Sequence, residues 1–187
     1  MKLPGPPIPQ RHLQPGELLI TQEPQWVITL LGSCVAVTMF HAGTRLAGIC
    51  HAMLPRPHDK DSPGPASRYV SEVVPAMAAQ FLKFGIRPAE VEVKMFGGGN
   101  VIVLGGEVHE QRMIGSANVA MARQTLQAAR FQIRAENVGG QRGSKIAFNA
   151  GTGEVLHKHL TRGERPPTPV IGPLAGRRHL ISKRNLP

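Results

Sequence analysis

At 187 residues the chain has room for one globular domain, with or without tails, and is too short for a two-domain machine. Hydrophobic residues make up 41% and charged residues 18%, enough apolar material for a packed core, which excludes wholesale disorder. The net charge of +10 points to nucleic acid or a membrane surface only until the charges are located along the chain. Residues 1–16 hold Lys2 and Arg11 with no acid, and residues 161–187 hold Arg162, Arg165, Arg177, Arg178, Lys183 and Arg184 against Glu164, so the middle keeps a surplus of only +3. The same two segments carry ten of the seventeen prolines, a composition that resists regular structure. Both read as flexible tails around a domain at 17–160. Aromatic residues are only 4%, which leaves a base-stacking platform poorly supplied, and no nucleic-acid partner is expected.

No apolar window reaches eighteen residues, and Met1–Gln10 alternates proline with single apolar residues instead of building a signal-peptide core. A cytoplasmic protein with no membrane insertion is the expectation. The cysteines, Cys34 and Cys50, are too few for a disulfide scaffold and form no CxxC pair. With His51 they fit no common zinc spacing, so no metal is expected.

In chain order, Glu17–Thr21 and Trp26–Leu31 read as short strands divided by a turn at Glu23-Pro24. Apolar residues at Val35, Val37 and Met39 alternate with Ala36, Thr38 and Phe40 as a two-sided strand, and Arg45–Met53 follows after a connection short enough for a hairpin. That hairpin brings Cys34 and the region of His51 to the same end. Pro55–Ala66 is a long proline-rich loop expected to border the site. Val70, Val73, Val74, Met77, Phe81 and Leu82 repeat at helical spacing, closed by Gly85, with Pro75 as the flaw in the pattern. Val91–Met95 is a strand running into Gly97-Gly98-Gly99 and on to a further strand at Val101–Leu104. The glycines lack the lysine and hydroxyl of a phosphate loop and read as a turn where backbone approaches backbone. Ser116 caps a predicted helix over Ala117–Ala129. Strands at Gln132–Val138, Lys145–Asn149 and Glu154–His159 complete an α+β pattern with a mixed or antiparallel core.

Chemistry concentrates at the first hairpin. Gly32-Ser33 is a small, conformationally free turn directly before Cys34, which can therefore stand at a strand end. A reactive thiol needs a proton-accepting neighbour, and His51 is the candidate. Each residue also has an ordinary reading, since buried cysteines and core histidines are common.

The segments Thr29-Leu30-Leu31-Gly32-Ser33-Cys34-Val35-Ala36-Val37 and Gly48-Ile49-Cys50-His51-Ala52-Met53-Leu54-Pro55 resemble the CheD family of chemoreceptor glutamine deamidases. The likeness extends through Arg68-Tyr69, Lys94-Met95-Phe96-Gly97-Gly98-Gly99-Asn100-Val101, Ile114-Gly115 with Asn118, Val138-Gly139-Gly140 and Thr152-Gly153, covering about residues 14–160. The resemblance implies an α/β/β/α sandwich of cysteine-hydrolase type, related to cytotoxic-necrotizing-factor deamidases. It implies conversion of receptor glutamines to glutamates with Cys34 as nucleophile, His51 as base and Thr29 as third member of a triad. Methyl-accepting chemotaxis receptors are the implied substrate, a CheC-type phosphatase is a partner candidate, and receptor methyl-ester hydrolysis is an implied side activity. No cofactor is called for. Gly32 and Ser33 are candidates for stabilising the oxyanion. Cys50 stands where relatives often carry asparagine, and a redox-controlled Cys34–Cys50 bridge is one reading of it. Ala117 and Ser144 stand where arginines are common. Two other readings compete: a regulatory binding module with little catalysis, and a basic tail that binds nucleic acid or an anionic surface.

Overall fold

The computed structural model describes residues 1–5, 7–58, 64–100 and 108–161. Its strands are β1 (Gln10–His12), β2 (Leu18–Thr21), β3 (Trp26–Leu31), β4 (Val35–His41), β5 (Leu46–Ala52), β6 (Glu92–Gly97), β7 (Ile133–Val138), β8 (Ser144–Asn149) and β9 (Val155–His159). Its α-helices are α1 (Val70–Lys83) and α2 (Val108–Ala128). The strands form two mixed sheets, one ordered β1-β3-β8-β9 and one ordered β2-β5-β4-β6-β7. Pairing is parallel for β1 with β3 and for β6 with β7, and antiparallel elsewhere.

Side-chain alternation assigns each residue of the five-stranded sheet to one of two apolar layers. Val35, Val37 and Met39 of β4 and Cys50 and Ala52 of β5 face the helices, packing with Val74, Met77 and Phe81 of α1 and Ala122 and Leu126 of α2. Ala36 and Phe40 of β4, Ala47 and Ile49 of β5 and Phe96 of β6 face the other sheet, meeting Val27 and Leu31 of β3 and Ile146 and Phe148 of β8. A central strand apolar on both faces is the physical reason Val35–Phe40 shows so little polar alternation in sequence.

The implied α/β/β/α layering is corrected to α/β/β among the described residues. Both α-helices lie on one side, and the outer face of the four-stranded sheet, with Trp26, Ile28 and Ala147, is covered instead by Leu3 and Ile8. Prolines deny this covering segment the amide donors a helix requires. The expected tail at 1–16 is corrected with it. Gln10–His12 joins the sheet as β1, and the buried Leu13 donates its backbone N–H to the Ile28 carbonyl at 2.9 Å. An edge position tolerates such a segment because only one side of it needs ladder bonds. The expected tail from Arg162 onward and the expected strand at Val101–Leu104 lie outside the described residues.

Two helix details also differ from expectation. Helix α1 runs unbroken through Pro75, which sits on the exposed face where the carbonyl it leaves unbonded can meet water. Helix α2 begins upstream of Ser116, which lies inside the helix on its exposed side and does not cap it. No helix among the described residues is long and apolar enough to cross a membrane.

Candidate active site

The hairpin of β4 and β5 sets Ala36 opposite His51 and Val35 opposite Ala52. Cys34 immediately precedes β4 and packs with Ala36, Phe40 and Ile49 in the layer between the sheets, so its side chain shares a face with His51. Residues related in this diagonal way on antiparallel strands stand about 7–8 Å apart, within reach of longer side chains. The third residue comes from the other sheet. Thr29 lies between Val27 and Leu31 on the inward face of β3, and its hydroxyl meets His51 Nδ1 at 2.7 Å. The structure thus gathers the three sequence-predicted residues into the inter-sheet layer, with exposures of 3% for Thr29, 5% for Cys34 and 1% for His51.

Hydrogen bonding fixes the imidazole. Thr29 Oγ1 has one proton and gives it to the Leu13 carbonyl at 2.9 Å, so the contact at 2.7 Å requires the ring to donate from Nδ1. The lone pair is then on Nε2, which is buried and has no hydrogen-bond partner among the described residues. Leaving such an acceptor unpaired costs about 1–3 kcal/mol. Burial pushes His51 down to about 4, opposed by the Leu13 carbonyl, so the ring is neutral near pH 7. Burial likewise pushes the Cys34 thiol up to about 12, opposed by its own backbone N–H. Thiol and imidazole are therefore both neutral at rest.

The Gly32–Cys34 turn is held by its carbonyls. Gly32 O accepts from Gly99 N–H at 2.8 Å, Ser33 O from Asn118 Nδ2 at 2.9 Å and Cys34 O from Gly98 N–H at 2.7 Å. With every carbonyl of the turn engaged, its peptide planes are fixed and their N–H groups point away from those donors. The expected approach of backbone to backbone at the glycine triplet is what this turn does. Gly97 has φ 95°, and a Cβ there would overlap the Cys34 carbonyl oxygen.

Cys50 is fully buried on the opposite face of the same sheet, toward α1 and α2, and both cysteines are free thiols. The reading of a Cys34–Cys50 bridge is therefore corrected: adjacent layers of side chains on opposite faces of a strand do not meet. Ser144 pairs with Leu31 beside the Gly32–Cys34 turn and contacts His157 Nε2 at 2.9 Å, while His157 stacks on Phe96. The segments flanking the Pro55–Ala66 loop meet beside the end of β5, where Met53 and Leu54 donate their backbone N–H groups to the Arg68 carbonyl; residues 59–63 of the loop lie outside the described residues. No cluster of three or more His, Cys, Asp or Glu side chains suited to a metal occurs among the described residues. Two concave spaces, of about 340 and 450 Å³, lie along the N-terminal segment, and neither is lined by Thr29, Cys34 or His51.

Asn118 is the site residue that sequence reasoning missed as a contributor. Besides Ser33 O it donates to Met53 O at 3.0 Å, and it is wholly buried. The available signal was a carboxamide on the same helical stripe as Val119 and Ala122, where a polar residue needs a specific partner.

Two packed mixed sheets with a cysteine, an oriented imidazole and a threonine between them define an α+β sandwich with a thiol–imidazole site. Residues 53–159 match the family described as CheD chemotactic sensory transduction. A protein of Geobacter sulfurreducens named probable chemoreceptor glutamine deamidase CheD 2 is 42% identical over 159 residues, spanning 85% of this chain and 95% of the relative. One of Oleidesulfovibrio alaskensis, named probable chemoreceptor glutamine deamidase CheD, is 43% identical over 156 residues, spanning 82% and 74%. The chain belongs to the CheD family. Among solved structures, Bacillus licheniformis YfiH aligns with TM-score 0.42 and 15% identity over 64% of this chain and 49% of that one, a likeness that carries no functional weight.

Proposed function

We propose that this protein is a protein-glutamine deamidase that converts selected glutamines of methyl-accepting chemoreceptors to glutamates. Its relatives carry that activity in their names. The observation that supports it most directly is the His51 ring, tied at Nδ1 through Thr29 to the Leu13 carbonyl, with Nε2 unpaired in the layer that also holds Cys34.

A primary carboxamide is a weak electrophile with a poor leaving group, so its hydrolysis needs a nucleophile and a proton donor. In the first half-reaction His51 Nε2 takes the Cys34 proton as Sγ bonds to the glutamine Cδ. The imidazolium then returns that proton to the departing nitrogen, the C–N bond breaks, ammonia leaves and a thioester remains. In the second, Nε2 takes a proton from water as the hydroxyl oxygen bonds to Cδ, and the proton passes to sulfur as the C–S bond breaks, releasing glutamate and thiol. Thr29 keeps the ring in the tautomer that leaves Nε2 basic. The N–H groups of the Gly32–Cys34 turn are the candidates to receive the developing oxyanion, and those of Ser33 and Cys34 share their peptides with the engaged carbonyls of Gly32 and Ser33. These steps use no group beyond the side chains, backbone and water. The sandwich is on this reading of cysteine-hydrolase type, related to cytotoxic-necrotizing-factor deamidases.

A nucleophile with 5% exposure at a turn suits a slender side chain such as that of a glutamine. Receptor cytoplasmic fragments are the substrate to test. Wild-type protein should release ammonia and convert glutamine to glutamate, a gain of about 1 Da by peptide mass spectrometry, and Cys34→Ala and His51→Ala should lose both. A methylated fragment in the same assay tests ester hydrolysis. Absence of conversion by the reduced wild-type protein would sink the deamidase reading and favour a binding module with a CheC-type partner.

A further inference from the structure

Helix α2 reaches the site from the far side of the five-stranded sheet, and its contact surface there is unusual. Gly115 allows the closest approach: a Cβ at this position would stand 2.7 Å from the Gly98 carbonyl oxygen and 2.9 Å from that of Gly99. One helical turn on, Asn118 is wholly buried and places both hydrogens of its Nδ2 on different parts of the site. One goes to Ser33 O, in the turn that carries Cys34, and the other to Met53 O, two residues past His51. Its Oδ1 is buried without a partner among the described residues.

We propose that Asn118 is a positioning residue that sets the spacing between the Cys34 turn and the His51 strand. This inference rests on the deamidase reading for its catalytic consequence, but the geometry behind it does not. The β4–β5 ladder ends at Val35 and Ala52, so the segments carrying Ser33 and Met53 have run out of mutual strand pairing where the reacting groups stand. A single carboxamide nitrogen bridges that gap. The cost of leaving Oδ1 unpaired is accepted for a side chain whose two donors are both used. Neither an aliphatic residue nor a hydroxyl supplies two hydrogens from one atom. Losing the bridge frees the turn to drift, and displacement of a reacting group by about 1 Å costs about a hundredfold in rate.

The test combines turnover with a reading of the thiol itself. Asn118→Ala and the isosteric Asn118→Asp are compared with wild type for kcat and KM on a receptor cytoplasmic fragment, and for iodoacetamide labelling of each cysteine across pH 6–10. The expected result is a kcat lower by about tenfold to a hundredfold with KM within twofold, and slower Cys34 labelling at pH 7, since the thiol has lost its aligned base. Cys50 stays unlabelled and reports that the core is intact. Should Asn118→Ala fail to fold, Asn118→Asp carries the test, because its protonated form keeps one of the two donors. As pH rises and that donor ionises, its activity relative to wild type should fall further. Unchanged kcat in the variant that folds overturns the proposal. So does a loss accompanied by faster labelling of Cys34 and Cys50 together, the signature of general loosening. If wild type deamidates no fragment, the function above fails, while slower Cys34 labelling in the variants still decides the role of Asn118.

Discussion

Cys34 and Cys50 are alike in most local respects. Both are buried at the same end of one hairpin, both are free, and burial pushes each thiol up to about 12. They differ in which face of the sheet they occupy. Cys50 faces α1 and α2 among aliphatic and aromatic side chains. Cys34 faces the second sheet, in the layer where Thr29 orients His51. Burial alone makes a thiol inert, so on the proposed mechanism reactivity follows from the neighbour that can take the proton and not from the resting acidity of the sulfur.

The sharpest way to break this comparison is to delete each sulfur in turn. Cys34→Ala should lower deamidation at least a thousandfold with the fold retained, whereas Cys50→Ala should leave kcat per folded molecule within twofold. Equal losses in the ammonia assay would put the chemistry on the wrong face of the sheet.

Next in size is the pH dependence of the imidazole that separates the two faces. His51 is pushed down to about 4 in the folded protein from an ordinary value of 6.5, so between these pH values the unfolded chain binds a proton that the folded one does not. Its contribution to stability is complete above pH 6.5 and is lost as pH falls toward 4, amounting to about 3 kcal/mol across the window. Urea unfolding at pH 7.5 and 4.5 should show most of that loss in wild type and correspondingly less in His51→Gln. Equal slopes in the two proteins would mean that the ring is not held neutral.

A smaller effect tests the orientation of the ring. Thr29→Val keeps the shape of the side chain but removes the oxygen that meets Nδ1 at 2.7 Å, and should lower kcat about tenfold to a hundredfold. Thr29→Ser, which keeps the hydroxyl, should recover most of the rate. Were both variants as active as wild type, the tautomer would be set by something other than this hydroxyl. The smallest effect is structural: Cys50→Ala should cost about 1–2 kcal/mol in denaturant unfolding, the range for trimming a small core side chain.

Much of this arrangement was legible before any coordinates. The sequence pattern places a strand at Trp26–Leu31 with the bounds the structure gives, and the short connection after His41 announces the hairpin that sets Cys34 beside the end of β5. Alternation marks strands well because each residue needs only its own neighbours to display it. Relations between sheets are not displayed that way. That Thr29 faces His51 depends on how β3 of one sheet lies over β5 of the other, and only the resemblance to known deamidases supplied the pairing. Gln10–His12 was hidden among prolines because parallel pairing at an edge imposes little pattern on the sequence. Asn118 was noted as part of a motif, but its two acceptors lie far away in the chain, and nothing local announces them.

The division of the site between two sheets orders its assembly. Cys34 and His51 belong to one hairpin, a contact between residues near each other in sequence. Leu13 and Thr29, which set the ring, meet His51 only when the four-stranded sheet docks over the hairpin. A nascent or partly unfolded chain can thus hold sulfur and imidazole side by side while the ring still turns between tautomers. On the proposed mechanism, catalytic competence arrives with the closing of the sandwich, so turnover doubles as a reporter of whether the two halves of the core have met.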